Sequence, residues 1–144
     1  MEKLTGRCLC EAISYEIDGA LGPIYNCHCS KCRRWHGAAF RTRALVEKEK
    51  FKWLSGEEYL KQYHSSERVI KTFCSICGSN LISLYEDNSE MIGLPIGGLE
   101  QDPGNRPLGH IFATSKAPWY EITDDLPQYE EWPGSSEVVT GVKS

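Results

Sequence analysis

Hydrophobic and polar positions alternate along much of this chain in short stretches. In Ala12-Ile13-Ser14-Tyr15-Glu16-Ile17 the bulky residues at 13, 15 and 17 are separated by small or polar ones, the two-residue period of a half-buried strand. Asp18-Gly19 ends the stretch with a turn signal. Phe40–Val46, Phe51–Leu54, Tyr59–Tyr63, Arg68–Phe73, Leu81–Tyr85, Met91–Ile96 and Pro107–Phe112 read as further strands. Glu47–Lys50 and His64–Glu67 are polar connections between them. No segment sustains a 3.6-residue period, and residues 24–36 follow neither period. The expectation is an all-β domain of short antiparallel strands with little helix, any helix being a turn or two.

Pro118-Trp119-Tyr120 opens a proline-punctuated end, and Glu121–Glu137 carries six acids and no base. The organisation read from this is one domain over residues 1–130 and a C-terminal arm over residues 131–144. The arm is expected to lie on the domain and to fray at Ser135–Ser144. No internal repeat or low-complexity tract interrupts the chain.

At 144 residues a single core is large enough to hold the fold without covalent staples. Met1–Cys10 has no apolar core of a secretory signal. The apolar run Met91–Leu99 is broken by Gly93, Pro95, Gly97 and Gly98 and is too short to span a bilayer. A cytoplasmic protein is expected, with no membrane partner. The net charge of −4 gives no general reason to expect nucleic acid. Charge is uneven, however: Lys31, Arg33, Arg34, Arg41 and Arg43 fall in a stretch without an acid. They read either as a solvated strand face or as an anion-binding rim.

That basic stretch begins within Cys27-His28-Cys29-Ser30-Lys31-Cys32, where three thiols fall within six residues. In a reducing compartment, seven cysteines argue for metal rather than disulfides. They divide as two, three and two. Cys8 and Cys10, at i and i+2 of an extended chain, project to one side. Cys74-Ser75-Ile76-Cys77-Gly78 is a C-x-x-C turn whose glycine suits a backbone reversal with positive φ. The two pairs together make a closed Cys₄ set of the kind that holds structural zinc. Cys27, Cys29 and Cys32 remain as a second set, either three-coordinate with an open position or closed by His36 or His28. Both outcomes imply two zinc ions per chain.

Gly6-x-Cys8-x-Cys10, Cys27-His28-Cys29-Ser30-x-Cys32-Arg33 and Phe73-Cys74-x-x-Cys77-Gly78 resemble the glutathione-dependent formaldehyde-activating enzyme family, which includes centromere protein V. His110-Ile111-Phe112, Ser115–Trp119 and Leu126-Pro127 match it too. The resemblance runs from Gly6 to Tyr129 and implies a zinc-bearing β-tent domain. By position it assigns Cys8, Cys10, Cys74 and Cys77 to a structural zinc, and Cys27, Cys29 and Cys32 to a catalytic one. It also implies a carbon–sulfur lyase that joins glutathione to formaldehyde, giving S-(hydroxymethyl)glutathione.

Glutathione has two carboxylates, and Arg33 and Arg34 are the candidate partners, because guanidinium grips carboxylate through paired hydrogen bonds. His28 is a candidate proton carrier or a residue that only shapes the loop. The rival class is a zinc-stabilised β module that binds a protein or nucleic acid through Lys31–Arg43 without catalysis.

Overall fold

A computed structural model describes residues 3–138. In chain order the strands are β1 (Lys3–Arg7), β2 (Ser14–Asp18), β3 (Ile24–Cys27), β4 (Arg41–Glu47), β5 (Phe51–Ser55), β6 (Leu60–His64), β7 (Val69–Cys74), β8 (Asn80–Tyr85), β9 (Met91–Pro95) and β10 (His110–Ile111). A single α-helix among the described residues, α1 (Ser30–His36), follows β3. The protein is thus predominantly β with little helix, and no helix among the described residues is long and apolar enough to cross a membrane.

The chain forms two compact units. The first takes the residues up to Pro23 and Ala44–Asn105, and the second takes Ile24–Arg43 and the chain from Arg106 onward. In the first unit β1, β2 and β5 form an antiparallel sheet, with Leu4 opposite Ile17 and Tyr15 opposite Trp53. Alternation buries Ile13, Tyr15 and Ile17 on one side. The Tyr15 ring stacks on Phe51 at 5.3 Å and meets the edge of Trp53 at 6.2 Å. Burial pushes the Tyr15 hydroxyl up to about 12. Strands β6 to β9 form an antiparallel meander, with Leu81, Ile82, Ile92 and Leu94 buried.

In the second unit β10 lies parallel to β3, His110 opposite Asn26 and Ile111 opposite Cys27. The segment after β10 returns beside it: His110 N donates to Pro127 O and Tyr129 N to His110 O, both at 2.8 Å. Tyr129 and Glu137 form an antiparallel bridge. The described part of the expected arm is therefore folded back on itself; residues 139–144 lie outside the described residues.

β1 escapes the sequence pattern because its inward positions are Leu4 and Gly6, and glycine contributes no apolar side chain to an alternation. Tyr15 packs where a Gly6 side chain would be. Gly78 has the positive φ expected of it, 77°. Gly56 has φ 76° and in addition lies against the Ala12 carbonyl, which a Cβ would overlap. Gly78→Ala is expected to cost about 1 kcal/mol of backbone strain. Gly56→Ala adds a clash with immobile backbone and is expected to cost roughly 3 kcal/mol. Urea unfolding of the two variants separates these values.

Candidate functional site

The first unit gathers Cys8, Cys10, Cys74 and Cys77, their sulfurs all within 4.8 Å of one another. Two turns bring them together. Cys8 and Cys10 lie in a turn after β1, closed by Glu11 N donating to Cys8 O at 3.1 Å. Cys74 ends β7, and Gly78 N closes its turn by donating to Cys74 O at 2.8 Å. Leu9 N donates to Ser79 Oγ at 2.9 Å and ties the turns together.

A tetrahedral zinc with Zn–S bonds of ~2.3 Å spaces its sulfurs by about 3.8 Å. Cys8 and Cys10 sulfurs are 3.6 Å apart, and those of Cys10 and Cys74 are 3.8 Å apart. These separations fit a metal tetrahedron and are far from the ~2.05 Å of a disulfide. Backbone N–H groups also point at sulfur: Ile13 N to Cys8 Sγ and Ile76 N to Cys74 Sγ, each at 3.4 Å. Burial opposes ionisation of Cys77, but hydrogen bonds from the side chain and backbone of Ser79 outweigh it and draw the thiol down to about 5. Such donors suit thiolates rather than thiols.

The second unit gathers Cys27, Cys29 and Cys32, again with all sulfurs within 4.8 Å. Cys27 ends β3 and Cys29 is the N-cap of α1, its sulfur accepting from Cys32 N at 3.3 Å. Cys32 sits in the first helical turn, and Gly37 ends the helix in the left-handed conformation. A seven-residue helix is too short to display a period, so the irregular sequence of this segment conceals it. Neither His28 nor His36 is among the ligand atoms gathered here. All seven cysteines are free thiols.

Charge in this set concentrates on one sulfur. Hydrogen bonds from Cys27 and then Cys32, aided by backbone N–H groups, draw Cys29 down to about 2 against the effect of burial. Its hydrogen bonds to Cys29 and Cys32, together with burial, push Cys27 up. The donor set is soft and close-packed, and it fits zinc.

Backbone bonding between β3 and β10 continues past the strands, with His28 N donating to Ile111 O at 3.0 Å. Neighbouring side chains therefore point to opposite faces. Cys27 and Cys32 pack with Ile111, with Tyr25, Cys29, Phe112 and Tyr129 around them. His28, fully buried, instead meets His110: Nε2 lies 2.7 Å from His110 Nδ1. His110 Nε2 in turn lies 3.0 and 3.1 Å from the two Asp124 oxygens.

The carboxylate accepts, so His110 Nε2 carries hydrogen; a neutral His110 then accepts through Nδ1 from His28 Nε2–H. His28 Nδ1 remains buried without a partner. Burial, followed by His110, lowers His28 to about 4. Its ring packs on Phe40 at 5.0 Å and Tyr120 at 6.3 Å. Sequence reasoning assigned no role to His110 or Asp124. A histidine inside the apolar stretch Pro107–Phe112 was the available signal for the first; Asp124, one acid among six, offered none.

The basic stretch divides. Lys31 and Arg34 are exposed, and Arg33 is half-buried with Nε donating to His28 O at 3.3 Å. Arg41 and Arg43 are only 4% and 6% exposed, which corrects the solvated-face expectation for these two. Their side chains share a face of β4 by alternation. Cys32 is pulled down by Cys27 but pushed up overall by Cys29 and burial, and the Arg41 charge acts in the lowering direction. The Arg43 guanidinium lies 5.7 Å from the centre of the Trp132 ring. Trp132 meets Phe112 edge-on at 5.1 Å.

The sequence matches the family described as glutathione-dependent formaldehyde-activating enzyme over residues 3–115. The chain belongs to this family. It is 31% identical over 85 residues to an uncharacterized lyase of Schizosaccharomyces pombe, a match covering 59% of this chain and 60% of that protein. It is 27% identical over 92 residues to a Colletotrichum graminicola protein named "Putative glutathione-dependent formaldehyde-activating enzyme", covering 62% of this chain and 48% of that one. The matches thus span about half to three-fifths of these relatives. A crystal structure of a Rhodobacter sphaeroides protein superposes with a TM-score of 0.59 and 25% identity, covering 72% of this chain and 97% of that one.

The histidine chain is testable by itself. His110→Ala strips His28 Nε2 of its buried partner and is expected to cost about 2–4 kcal/mol. Asp124→Asn keeps an acceptor for His110 and is expected to cost about 1 kcal/mol. Urea midpoints at constant m-value measure both.

Proposed function

We propose that the chain is a zinc-dependent carbon–sulfur lyase that joins the glutathione thiol to formaldehyde to give S-(hydroxymethyl)glutathione. The sulfur–carbon bond forms, the carbonyl π bond opens, and the thiol proton is accounted for on the new hydroxyl. The observation that carries this reading is the second sulfur set. It gathers three cysteines and no histidine, whereas a structural zinc takes four protein ligands.

In this reading Cys8, Cys10, Cys74 and Cys77 hold a structural zinc, and Cys27, Cys29 and Cys32 hold the second. Zinc held by Cys27, Cys29 and Cys32 would supply the chemistry that keeps a substrate thiol as thiolate near neutral pH. The three cysteines come from two adjoining elements. β3 presents Cys27, and the cap and first turn of α1 present Cys29 and Cys32 on one short, hydrogen-bonded segment. Arg33 and Arg34, on α1, are assigned to the glutathione carboxylates. The ring of His28 is engaged with His110 on the face opposite Cys27, so we assign His28 to fixing the loop rather than to carrying the proton.

The module alternative calls for a solvent-facing basic strip over Lys31–Arg43. Burial of Arg41 and Arg43 removes two of its five charges from that surface, which favours the enzyme.

Metal analysis is expected to return two zinc ions per chain. Serine is a good N-cap, so Cys29→Ser keeps the start of α1. That variant is expected to stay folded, retain one tightly held zinc and lose turnover above the spontaneous reaction of glutathione with formaldehyde. Cys74→Ser is expected to lose several kcal/mol of stability, because binding energy at a structural site is folding energy. Wild-type turnover by Cys29→Ser would remove the three-thiol set from the chemistry.

A further inference from the structure

A guanidinium withdrawn from water without an anionic partner is costly, on the order of several kcal/mol. Arg43 has this character: it is 6% exposed, and among the described residues its buried Nη1 has no hydrogen-bond partner. Its recorded neighbour is the Trp132 ring, 5.7 Å away. A cation–π contact of this kind returns only part of that cost and supplies no acceptor for the unused N–H. The site is built to receive an acceptor it does not itself contain.

The position is next to the sulfur set. Arg43 sits under Trp132, Trp132 abuts Phe112, and Phe112 packs on the Cys27–Cys32–Ile111 cluster. Arg41, two residues earlier on the same face of β4, exerts its charge on Cys32. Trp132 is 53% exposed, so the cover over Arg43 is an indole at the surface rather than packed core.

We propose that Arg43, flanked by Arg41 and covered by Trp132, is a carboxylate-recognition site for the substrate whose thiol goes to Cys27, Cys29 and Cys32. This rests on the proposed thiol-binding reading and extends it: the residues chosen for carboxylate recognition in the sequence, Arg33 and Arg34, lie on α1, whereas Arg43 is a buried, partner-deficient guanidinium. Guanidinium pairs with carboxylate through two parallel hydrogen bonds, which an ammonium at the same place cannot reproduce. The ligand class is a small thiol bearing a carboxylate, and a neutral thiol gains nothing from this site.

Titration calorimetry with three probes tests this: glutathione, S-methylglutathione, which keeps both carboxylates but has no thiol, and 2-mercaptoethanol, which has a thiol and no carboxylate. For Arg43→Met the dissociation constants of glutathione and S-methylglutathione are expected to rise tenfold to a hundredfold, from the loss of charge-assisted hydrogen bonds. That of 2-mercaptoethanol is expected to stay unchanged.

Arg43→Lys is expected to recover only part of the loss, and the surface variant Trp132→Ala, which leaves the buried residues in place, to weaken both carboxylate-bearing probes several-fold. If Arg43→Met does not fold, these two variants decide the matter. Equal binding of S-methylglutathione by wild type and the variants, or no binding of it by wild type, overturns the proposal. Loss of glutathione and 2-mercaptoethanol binding in wild type, with S-methylglutathione still bound and still dependent on Arg43, overturns the thiol-binding reading and leaves the carboxylate site standing.

Discussion

Sulfur convergence is the constraint on which this molecule depends. Cys10 and Cys74 are separated by 64 positions in sequence, yet their sulfurs lie 3.8 Å apart. Bringing together the turn after β1 and the turn after β7 closes a long loop, and the entropy lost in closing it must be recovered where the ends meet. Two backbone-to-sulfur hydrogen bonds and the link from Leu9 to Ser79 recover part of it. A metal ion held by the four thiolates would recover much more, since its binding energy would be available only to the folded chain. The first unit is in this sense a scaffold whose register is set at its sulfur corner.

The second unit solves a different problem, namely how to hold three close thiols in fixed positions, two of them, Cys27 and Cys32, within a buried cluster. The ladder between β3 and β10 achieves this through simple alternation. On one face, Cys27 and Ile111 meet Tyr25, Phe112 and Tyr129. On the other, His28 and His110 form a buried polar pair anchored by Asp124. A loop carrying Cys27-His28-Cys29 is short and polar, and such segments are easily displaced. The bond to His110 holds the residue between the two cysteines from the face opposite Cys27.

What could be read from the sequence was whatever depends on near neighbours. The division of sulfur into pairs and a trio follows from spacing alone, because C-x-C, C-x-x-C and the three-thiol run each specify local geometry. Most strands were visible through alternation, including β2, β4 and β7. The failures share one cause, which is that the deciding partner is far away in sequence. His110 pairs with His28 across 82 positions, and nothing near either residue announces it. Arg41 and Arg43 read either as a solvated strand face or as an anion-binding rim; both lie on a strand, but neither is solvated. Arg43 lies against the ring of Trp132, which is distant in sequence. β1 was missed because its inward glycine leaves a gap in the pattern that only Tyr15 explains.

The division of the chain between units has a further consequence for biosynthesis. Chains emerge from the ribosome N-terminus first. The pairs Cys8/Cys10 and Cys74/Cys77 are both available once residue 77 has emerged, so the scaffold's corner can close while translation continues. The trio appears earlier, by residue 32, but the strand that pins it and the indole that covers Arg43 arrive only with His110 and Trp132. The three thiols of the second set therefore precede the last of their surroundings by about a hundred residues of synthesis, and that set is completed after the first.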